Sequence, residues 1–236
     1  MRSLIVMAMF TVSLAHAGWT DYEEIRDLDL DANGVSQLTI NAGAGSMDVI
    51  GVAGLDKITV KATIVVPDKD EDDAGRVIEK RMRLSLQEKS GEAELEAWFK
   101  SGFMSFGSSP YIVLEVHVPQ GMAVNIDDGS GSIDIIDLVG DISIDDGSGS
   151  IDIRNVANVR IDDGSGSIDI ANAKGDVWLT DGSGSISVEH IQGSVTIDDG
   201  SGSIKVIDID GDLIIVDDGS GGLRFSDIRG TVDADT

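Results

Sequence analysis

Pairs of aspartates recur through the C-terminal half of the chain, and they are the side chains there best suited to do chemistry. They are Asp127/Asp128, Asp145/Asp146, Asp162/Asp163, Asp198/Asp199 and Asp217/Asp218, with Thr180/Asp181 as the one variant. If the repeats stack at about 4.8 Å, each exposed pair of neighbouring carboxylates repels by roughly 0.9 kcal/mol in water. Such a row favours a hard divalent cation, because Ca²⁺ takes several carboxylate and carbonyl oxygens. These aspartates are therefore candidate Ca²⁺ ligands, although the pattern requires no cofactor.

A structural role explains the same aspartates equally simply. An aspartate at a turn accepts hydrogen bonds from backbone N–H groups two residues on. The second position of the pair is Asp in all six units, whereas the first is once Thr180. A turn cap predicts that asymmetry without any metal, so both interpretations stay open.

A second row of side chains points outward from the following strand. It consists of Asp134, Asp152, Asp169, Ser187, Lys205 and Arg224, and it changes from acidic to basic along the chain. Such a gradient could orient a partner or promote end-to-end association. The preferred interpretation is an ordinary solvated face.

Catalytic arrangements are poorly represented. Apart from His16, close to the N-terminus, the histidines are His117 and His190, and no Gly-x-Ser-x-Gly nucleophile elbow occurs in the repeats. The aspartates are spread evenly, whereas glycoside hydrolysis needs a local pair of carboxylates with distinct roles. We therefore predict that the protein is not an enzyme, with a polysaccharide-active enzyme as a distant third alternative.

The elements that position the aspartates form an internal repeat. Six Gly-Ser-Gly elements open at Gly129, Gly147, Gly164, Gly182, Gly200 and Gly219, at spacings of 17–19 residues. Each unit holds two short strands of alternating apolar residues, and the apolar positions align in five columns. The fourth column, for example, reads Ile135, Ile153, Ile170, Val188, Val206 and Phe225, while the second ends in Ile215 or Val216. Stacked units would bury these columns, so the fold class is predicted as an all-β solenoid with rungs of roughly 18 residues and two strands each.

Two glycine-containing corners are expected in each rung. Gly-Ser-Gly makes the first, where a positive φ suits glycine. The second is expected at Gly140, Asn158, Gly175, Gly193, Gly211 and Gly230. Because asparagine also tolerates the left-handed region, this corner is predicted to be left-handed at those positions.

Three segments are predicted along the chain: a signal peptide at 1–17, a strand-rich N-terminal cap at 18–120 and the six-repeat solenoid at 121–236. The cap contains one degenerate rung at 38–49 and a charged, helix-compatible stretch at 70–81. Half of the few aromatic residues cluster at Trp98, Phe99, Phe103, Phe106 and Tyr111. That cluster is interpreted either as a contact patch for sugar or protein or, preferably, as an apolar lid on the first rung.

The leader and the overall charge bound the location and the partners. One arginine, an apolar run and Ala15-His16-Ala17 form a secretory signal pattern that is too short for a stable bilayer anchor. We expect an exported protein, periplasmic or secreted to the cell surface, without a transmembrane segment in its mature chain. The formal net charge of −26 disfavours nucleic acid as a partner, and no cysteine is present to form disulfides or thiolate zinc sites.

The leader, the divergent first half ending in Val118-Pro119 and the serial Asp-Gly-Ser-Gly-Ser-Ile units together resemble a known family. They are similar to the bacterial "putative adhesin" β-strand-repeat proteins, which are related in style to the head domains of autotransporter adhesins. The resemblance covers nearly the whole mature chain. It implies a β-helical fold and an extracytoplasmic, non-catalytic role.

The leading functional prediction is a non-enzymatic extracytoplasmic binding or scaffold module of adhesin type, whose partner is a protein or glycan at the cell envelope. Its expected contact surfaces are the outward rows and the 98–111 segment. The alternative is a calcium-responsive structural solenoid whose Asp-Asp-Gly corners bind cations.

Overall fold

A computed structural model describes residues 21–100 and 109–234 of the protein. It is an all-β structure with 67% strand and a single helix in the described part of the chain, wound into a solenoid of about six turns with a spacing of ~18 residues. This confirms the predicted fold class. The predicted signal peptide lies outside the described residues, and the one described helix is too short and too polar to cross a membrane.

The N-terminal half supplies seven strands and the helix. They are β1 (Tyr22–Asp31), β2 (Gln37–Ala42), β3 (Met47–Val52), β4 (Lys57–Val66), α1 (Glu71–Arg81), β5 (Met82–Lys89), β6 (Glu92–Phe99) and β7 (Tyr111–Pro119). Helix α1 begins where the Asp70 carboxylate accepts a hydrogen bond from the Asp73 N–H at 2.8 Å. Its Ala74 and Ile78 are buried, so the helix packs its apolar side onto the strands.

The repeat half contributes two strands per rung. The strands before the Gly-Ser-Gly corner are β8 (Ala123–Asp128), β10 (Ile142–Asp146), β12 (Val159–Asp163), β14 (Val177–Asp181), β16 (Val195–Asp199), β18 (Leu213–Asp217) and the terminal β20 (Val232–Ala234). Those after it are β9 (Gly131–Ile136), β11 (Gly149–Val156), β13 (Gly166–Ala173), β15 (Gly184–Ile191), β17 (Gly202–Ile209) and β19 (Gly222–Ile228).

The strands form two ten-stranded sheets that face each other. One has the order β1-β4-β7-β3-β9-β11-β13-β15-β17-β19, and the other has the order β20-β18-β16-β14-β12-β10-β8-β2-β6-β5. Repeat strands pair in parallel and in register, so that Ile151 lies between Ile133 and Ile168. The apolar columns therefore become continuous buried ladders between the sheets.

The last repeat departs from the predicted columns in two ways. Ile215 is buried and fills the second column, whereas Val216 is exposed beside a register shift in the pairing of β16 with β18. Phe225, predicted to lie inside the fourth column, is 45% exposed. It lies on β19, at the edge of its sheet, so no further rung of the described chain covers its ring.

The N-terminal half continues the same two sheets but not in chain order. Strands β2 and β3 pair in parallel with β8 and β9, so the degenerate rung lies directly on the first repeat. Strands β6 and β7 form the next rung outward. Antiparallel strands β5, β4 and β1 then finish the stack, which places a different pairing geometry at this end.

The second corner corrects the sequence-based prediction. The left-handed residues are Asp137, Asn155, Asn172, His190, Asp208 and Asp227, with φ between 58° and 61°, rather than the predicted corner glycines and Asn158. Glycine is needed at position 140 for a different reason, because a Cβ there would collide with the backbone of Met122 and Ala123 one rung below. At the first corner the prediction is confirmed, since Gly166 has a φ of 149°.

Candidate functional site

In the first five repeats the two residues of each pair lie on opposite sides of the sheet. Strand alternation turns the second aspartate inward, in line with the buried isoleucine two residues before it. These inward residues, which we call the inner ladder, are Asp128, Asp146, Asp163, Asp181 and Asp199. Each is no more than 4% exposed, and each is the register partner of the next.

The inner ladder caps the first corner. The N–H groups of Ser165, Ser183 and Ser201 donate to the Oδ1 atoms of Asp163, Asp181 and Asp199 at 3.2, 3.0 and 3.0 Å. This is the Asx-turn geometry that the invariance of the second aspartate predicts. The capping accounts for the aspartate at these three positions, and it uses only one oxygen of each of the three carboxyls.

The remaining oxygens of the inner ladder are buried without a partner in the described chain. They are Oδ2 of Asp163, Asp181 and Asp199, together with both oxygens of Asp128 and Asp146. The turn N–H groups of Gly129 and Ser130 still act electrostatically on Asp128, although no hydrogen bond to it meets normal geometry. An unpaired carboxylate in such a place is strongly disfavoured.

Burial consequently favours the protonated form of the inner ladder. Loss of solvation, reinforced by the neighbouring Asp146, raises the pKa of Asp128 to about 7. Loss of solvation likewise raises the pKa of Asp181 to about 6, and it raises the pKa values of Asp146, Asp163 and Asp199. The ladder is therefore a line of weakly acidic groups inside the solenoid.

The first aspartates form an exposed outer ladder on the same sheet. Asp127, Asp145 and Asp162 are register partners on β8, β10 and β12, followed by Thr180 and Asp198. In the last unit Asp217 takes over the cap, since its Oδ1 accepts the Gly219 N–H at 2.8 Å, and Asp218 follows it in the turn. Among residues 21–100 and 109–234, no group of three or more acidic or histidine side chains is arranged to hold a metal ion.

The acidic-to-basic row lies on the opposite sheet. Asp134, Asp152, Asp169, Ser187, Lys205 and Arg224 are successive register partners from β9 to β19. Partial burial and the neighbours Asp48 and Asp152 raise the pKa of Asp134. Asp152 and Lys205 are already engaged, by Arg154 and Glu189. The sequence places this row correctly, but much of its charge is balanced locally.

The aromatic segment is divided between two strands. Trp98 and Phe99 end β6, and Tyr111 begins β7 on the other sheet. Phe99 packs against the core at this end of the stack. Phe103 and Phe106 lie outside the described residues, so the aromatic contact patch stays a prediction.

Sequence inspection missed the outward row on β8 to β18. This row is Asn125, Ser143, Arg160, Trp178, Thr196 and Ile214. Trp178 lies near the middle of this row, is 41% exposed and is the register partner of Arg160 and Thr196. We call Trp178 with its flanking grooves the Trp178 face. One signal could have revealed it, because Thr180 replaces the outer aspartate on the same strand as Trp178.

Grooves flank the indole on both sides. A groove of about 510 Å³ runs from Trp178 back to Gln37 and is lined by Asn125, Asp141, Ser143, Asn158, Arg160 and Asp176 among others. A smaller groove of about 170 Å³ is bounded by Trp178, Thr196, Asp198 and Val216. The face thus combines one large aromatic ring with hydroxyl, amide, guanidinium and carboxylate groups.

A third groove follows the left-handed corner on another side of the solenoid. It has a volume of about 460 Å³ and is lined by Asp137, Asn155, Asn172, His190, Asp208 and Arg229 among others. Its side chains largely satisfy one another: Asn155 donates to Asp137 at 2.9 Å, and His190 bonds Asp208 at 2.9 Å. This corner therefore works mainly as a stacking ladder.

Comparisons with known proteins place the chain among related sequences and folds. The sequence profile of the Toastrack DUF4097 family matches residues 26–225. No curated protein matches the chain. A putative cell adhesion protein from Clostridium sporogenes is similar, with 13% identity, a TM-score of 0.37 and coverage of 90% of this chain and 100% of that one. A putative adhesin from Parabacteroides distasonis has 14% identity, a TM-score of 0.28 and coverage of 89% and 97%.

Proposed function

The chain belongs to the Toastrack DUF4097 family, and from this premise we propose that it is a non-enzymatic binding or scaffold module that contacts a cell-envelope partner through the Trp178 face. The carrying observation is the exposed indole. An exposed indole offers a large and rigid contact surface, and grooves flank this one on both sides. The ring lies on β14, an inner strand of its ten-stranded sheet, in a mainly acidic protein.

The arrangement of titratable groups supports binding rather than catalysis. The carboxylates of the inner ladder are separated by one rung, and burial shifts all of their pKa values upward, whereas general acid and base roles need environments that drive pKa values apart. His117 lies on the outer side of β7, and His190 lies in the left-handed corner. Neither is near the Trp178 face.

The proposed setting is extracytoplasmic. It rests on the secretory pattern of residues 1–17, with the periplasm and the cell surface as the two destinations. The net charge of −26 supports an uncharged or basic partner rather than nucleic acid.

The proposal is tested by measuring binding of the protein without residues 1–17 to an immobilised bacterial envelope fraction. Trp178→Ala should lower the affinity about ten-fold, whereas Val139→Ala should leave it unchanged. Val139 is a matched control because it is 46% exposed but lies on a different side of the solenoid. Saturable binding that is equal for all three proteins would refute the Trp178 face, and absence of binding would refute the proposed function.

A second candidate function is calcium-dependent stabilisation, favoured by the in-register outer ladder. Ca²⁺ between Asp127 and Asp145 would relieve their repulsion and would take its other ligands from water. Binding to the native state alone raises the melting temperature. Circular dichroism melting curves in chelator, in Ca²⁺ and in Mg²⁺ provide the test. A rise specific to Ca²⁺ supports the candidate, and equal curves reject it.

A further inference from the structure

We propose that the Trp178 face binds an uncharged carbohydrate chain, with a sugar ring stacked on the Trp178 indole and the chain lying in the adjoining 510 Å³ groove. This inference rests on the proposed binding function and specifies its ligand class. It is carried by the juxtaposition of an exposed indole with a groove that crosses several strands and whose lining mixes apolar side chains with amide, hydroxyl and charged groups.

The Trp178 indole provides the surface on which a sugar ring would stack. Trp178 is the only aromatic residue of its outward row, and its flanking register partners are Arg160 and Thr196. An indole offers a large, rigid surface at little cost in conformational entropy. The C–H faces of a sugar ring fit such a surface, while its hydroxyls need polar groups around the edge.

Asn158 and Arg160 provide polar groups beside the indole. Asn158 is held in place because its Nδ2 donates to Asp141 at 2.8 Å and its Oδ1 accepts from the Asp176 N–H at 2.9 Å. Arg160 is exposed, and its guanidinium makes no hydrogen bond or ion pair with the described parts of the chain. Its guanidinium therefore retains its donors for a ligand. Fixed acceptors and free donors along one groove match the alternating hydroxyls of a sugar.

The length of the groove suits an extended ligand. The groove extends from Gln37 on β2 to Trp178 on β14, across β8, β10 and β12. With adjacent strands about 4.8 Å apart, it is about 19 Å long. A linear chain of several sugar units fits this length, whereas a single small metabolite would leave most of it unfilled.

The negative charge of the protein around the groove disfavours an anionic ligand. The protein carries a net charge of −26, and aspartates border the face on both sides of Thr180, at Asp162 and Asp198. Thr180 removes a carboxylate beside the indole, but the surrounding field still repels anions. An uncharged polysaccharide is thus favoured over an acidic one.

A protein partner fits the same surface less well. Stable protein interfaces bury about 800 Å² per partner around an apolar core. On this sheet the exposed large apolar side chains are Trp178, Ile214, Val216 and Val232, and the longer groove runs away from the last three along a mixture of polar and apolar residues. A long groove of mixed lining beside a single exposed ring suits a glycan, whose rings have both apolar C–H faces and hydroxyls.

The test titrates dextran, mannan and soluble starch, with polygalacturonate as the charged counter-probe, and follows binding by isothermal titration calorimetry. At least one uncharged polysaccharide should bind saturably. Trp178→Ala should weaken that binding at least about ten-fold. Trp178→Phe, which retains a ring, should stay within about three-fold, and Val139→Ala should match the parent protein. Binding that Trp178→Ala leaves intact, or binding confined to polygalacturonate, overturns the inference.

A second arm separates this inference from the proposed function. The same proteins are applied to an envelope fraction treated either with periodate, which cleaves sugar diols, or with protease. Loss after periodate but not after protease supports a glycan. Loss after protease alone overturns the glycan inference while the binding function stands, and absence of binding to the untreated fraction overturns both.

Discussion

Replacing Asp128 by Asn should stabilise the protein at neutral pH, although it removes an aspartate that recurs in every repeat. Both carboxyl oxygens of Asp128 are buried without a hydrogen bond in the described chain. Burial raises its pKa to about 7, from an ordinary value of 3.8. An amide of the same shape avoids the desolvation of a charge and can donate to the Asp146 carboxyl one rung away.

The sign of the pH dependence follows from linkage. Because the folded-state pKa of Asp128 lies above the unfolded value, the native protein binds more protons between pH 4 and 7. Its contribution to stability is fully present below the unfolded pKa and is lost as the pH rises through about 7. The inner aspartates Asp146, Asp163, Asp181 and Asp199 act in the same direction.

The magnitude can be worked out from the same pKa values. The difference between the folded-state pKa of about 7 and the ordinary value of 3.8 corresponds to about 4 kcal/mol at 1.36 kcal/mol per pKa unit. Relaxation and water entry around the buried charge lower this, so we expect Asp128→Asn to add about 2 kcal/mol at pH 8 and almost nothing at pH 4.

The assay is urea unfolding followed by circular dichroism at pH 4, 6 and 8. Asp127→Asn is the matched control, since it removes the same charge from the exposed neighbour on β8. The control should change stability by no more than about 1 kcal/mol at each pH, because it removes only the screened repulsion with Asp145 one rung away. A loss of stability in Asp128→Asn at pH 8 would refute the argument, because it would mean that the carboxylate is paired rather than desolvated.

Three further predictions concern the rungs, each measured by the midpoint of urea unfolding. Ile170→Ala should destabilise by about 2–5 kcal/mol because Ile170 is buried in the fourth column, whereas Phe225→Ala in the same column should cost under about 1 kcal/mol at the open end. Similar losses would contradict the assigned burial. Gly166→Ala should destabilise the protein by more than about 2 kcal/mol, since the φ of Gly166 is 149° and a Cβ there would collide with the Gly149 carbonyl. Ser165→Ala is the control, and an equal loss of stability in both variants would disprove this geometry. Lys205→Gln should change stability by under about 1 kcal/mol because the Lys205–Glu189 pair is exposed, and a larger loss would show that the pair is structural.

Much of the solenoid can be predicted because its period is written repeatedly. Alternation places Ile151, Ile153 and their counterparts inward, and the repeat length sets the rung. The same alternation also turns Asp128 inward, two residues after Ile126, although turn chemistry alone suggests a surface role. Stacking of β6 and β7 outside β2 and β3 could not be predicted, since local patterns do not specify which strands pair across a long connection.

The corner and the candidate site show two other limits. A glycine in a turn suggests a left-handed backbone, yet Gly140 is needed because the rung below approaches closely, and Asp137 takes the left-handed conformation. Trp178 occupies a variable position of the repeat, where inspection of shared residues finds nothing. Only the paired register, which joins Trp178 to Arg160 and Thr196, turns that single substitution into a face.

The central claim, that the Trp178 face contacts the ligand, is tested most directly with Trp178 itself as the probe. A Trp19→Phe, Trp98→Phe variant retains Trp178 as its only tryptophan. Acrylamide quenching of its fluorescence is measured with and without a saturating envelope fraction. We predict that binding shields the indole and lowers the quenching constant several-fold. Saturable binding with unchanged quenching of Trp178 would contradict the account.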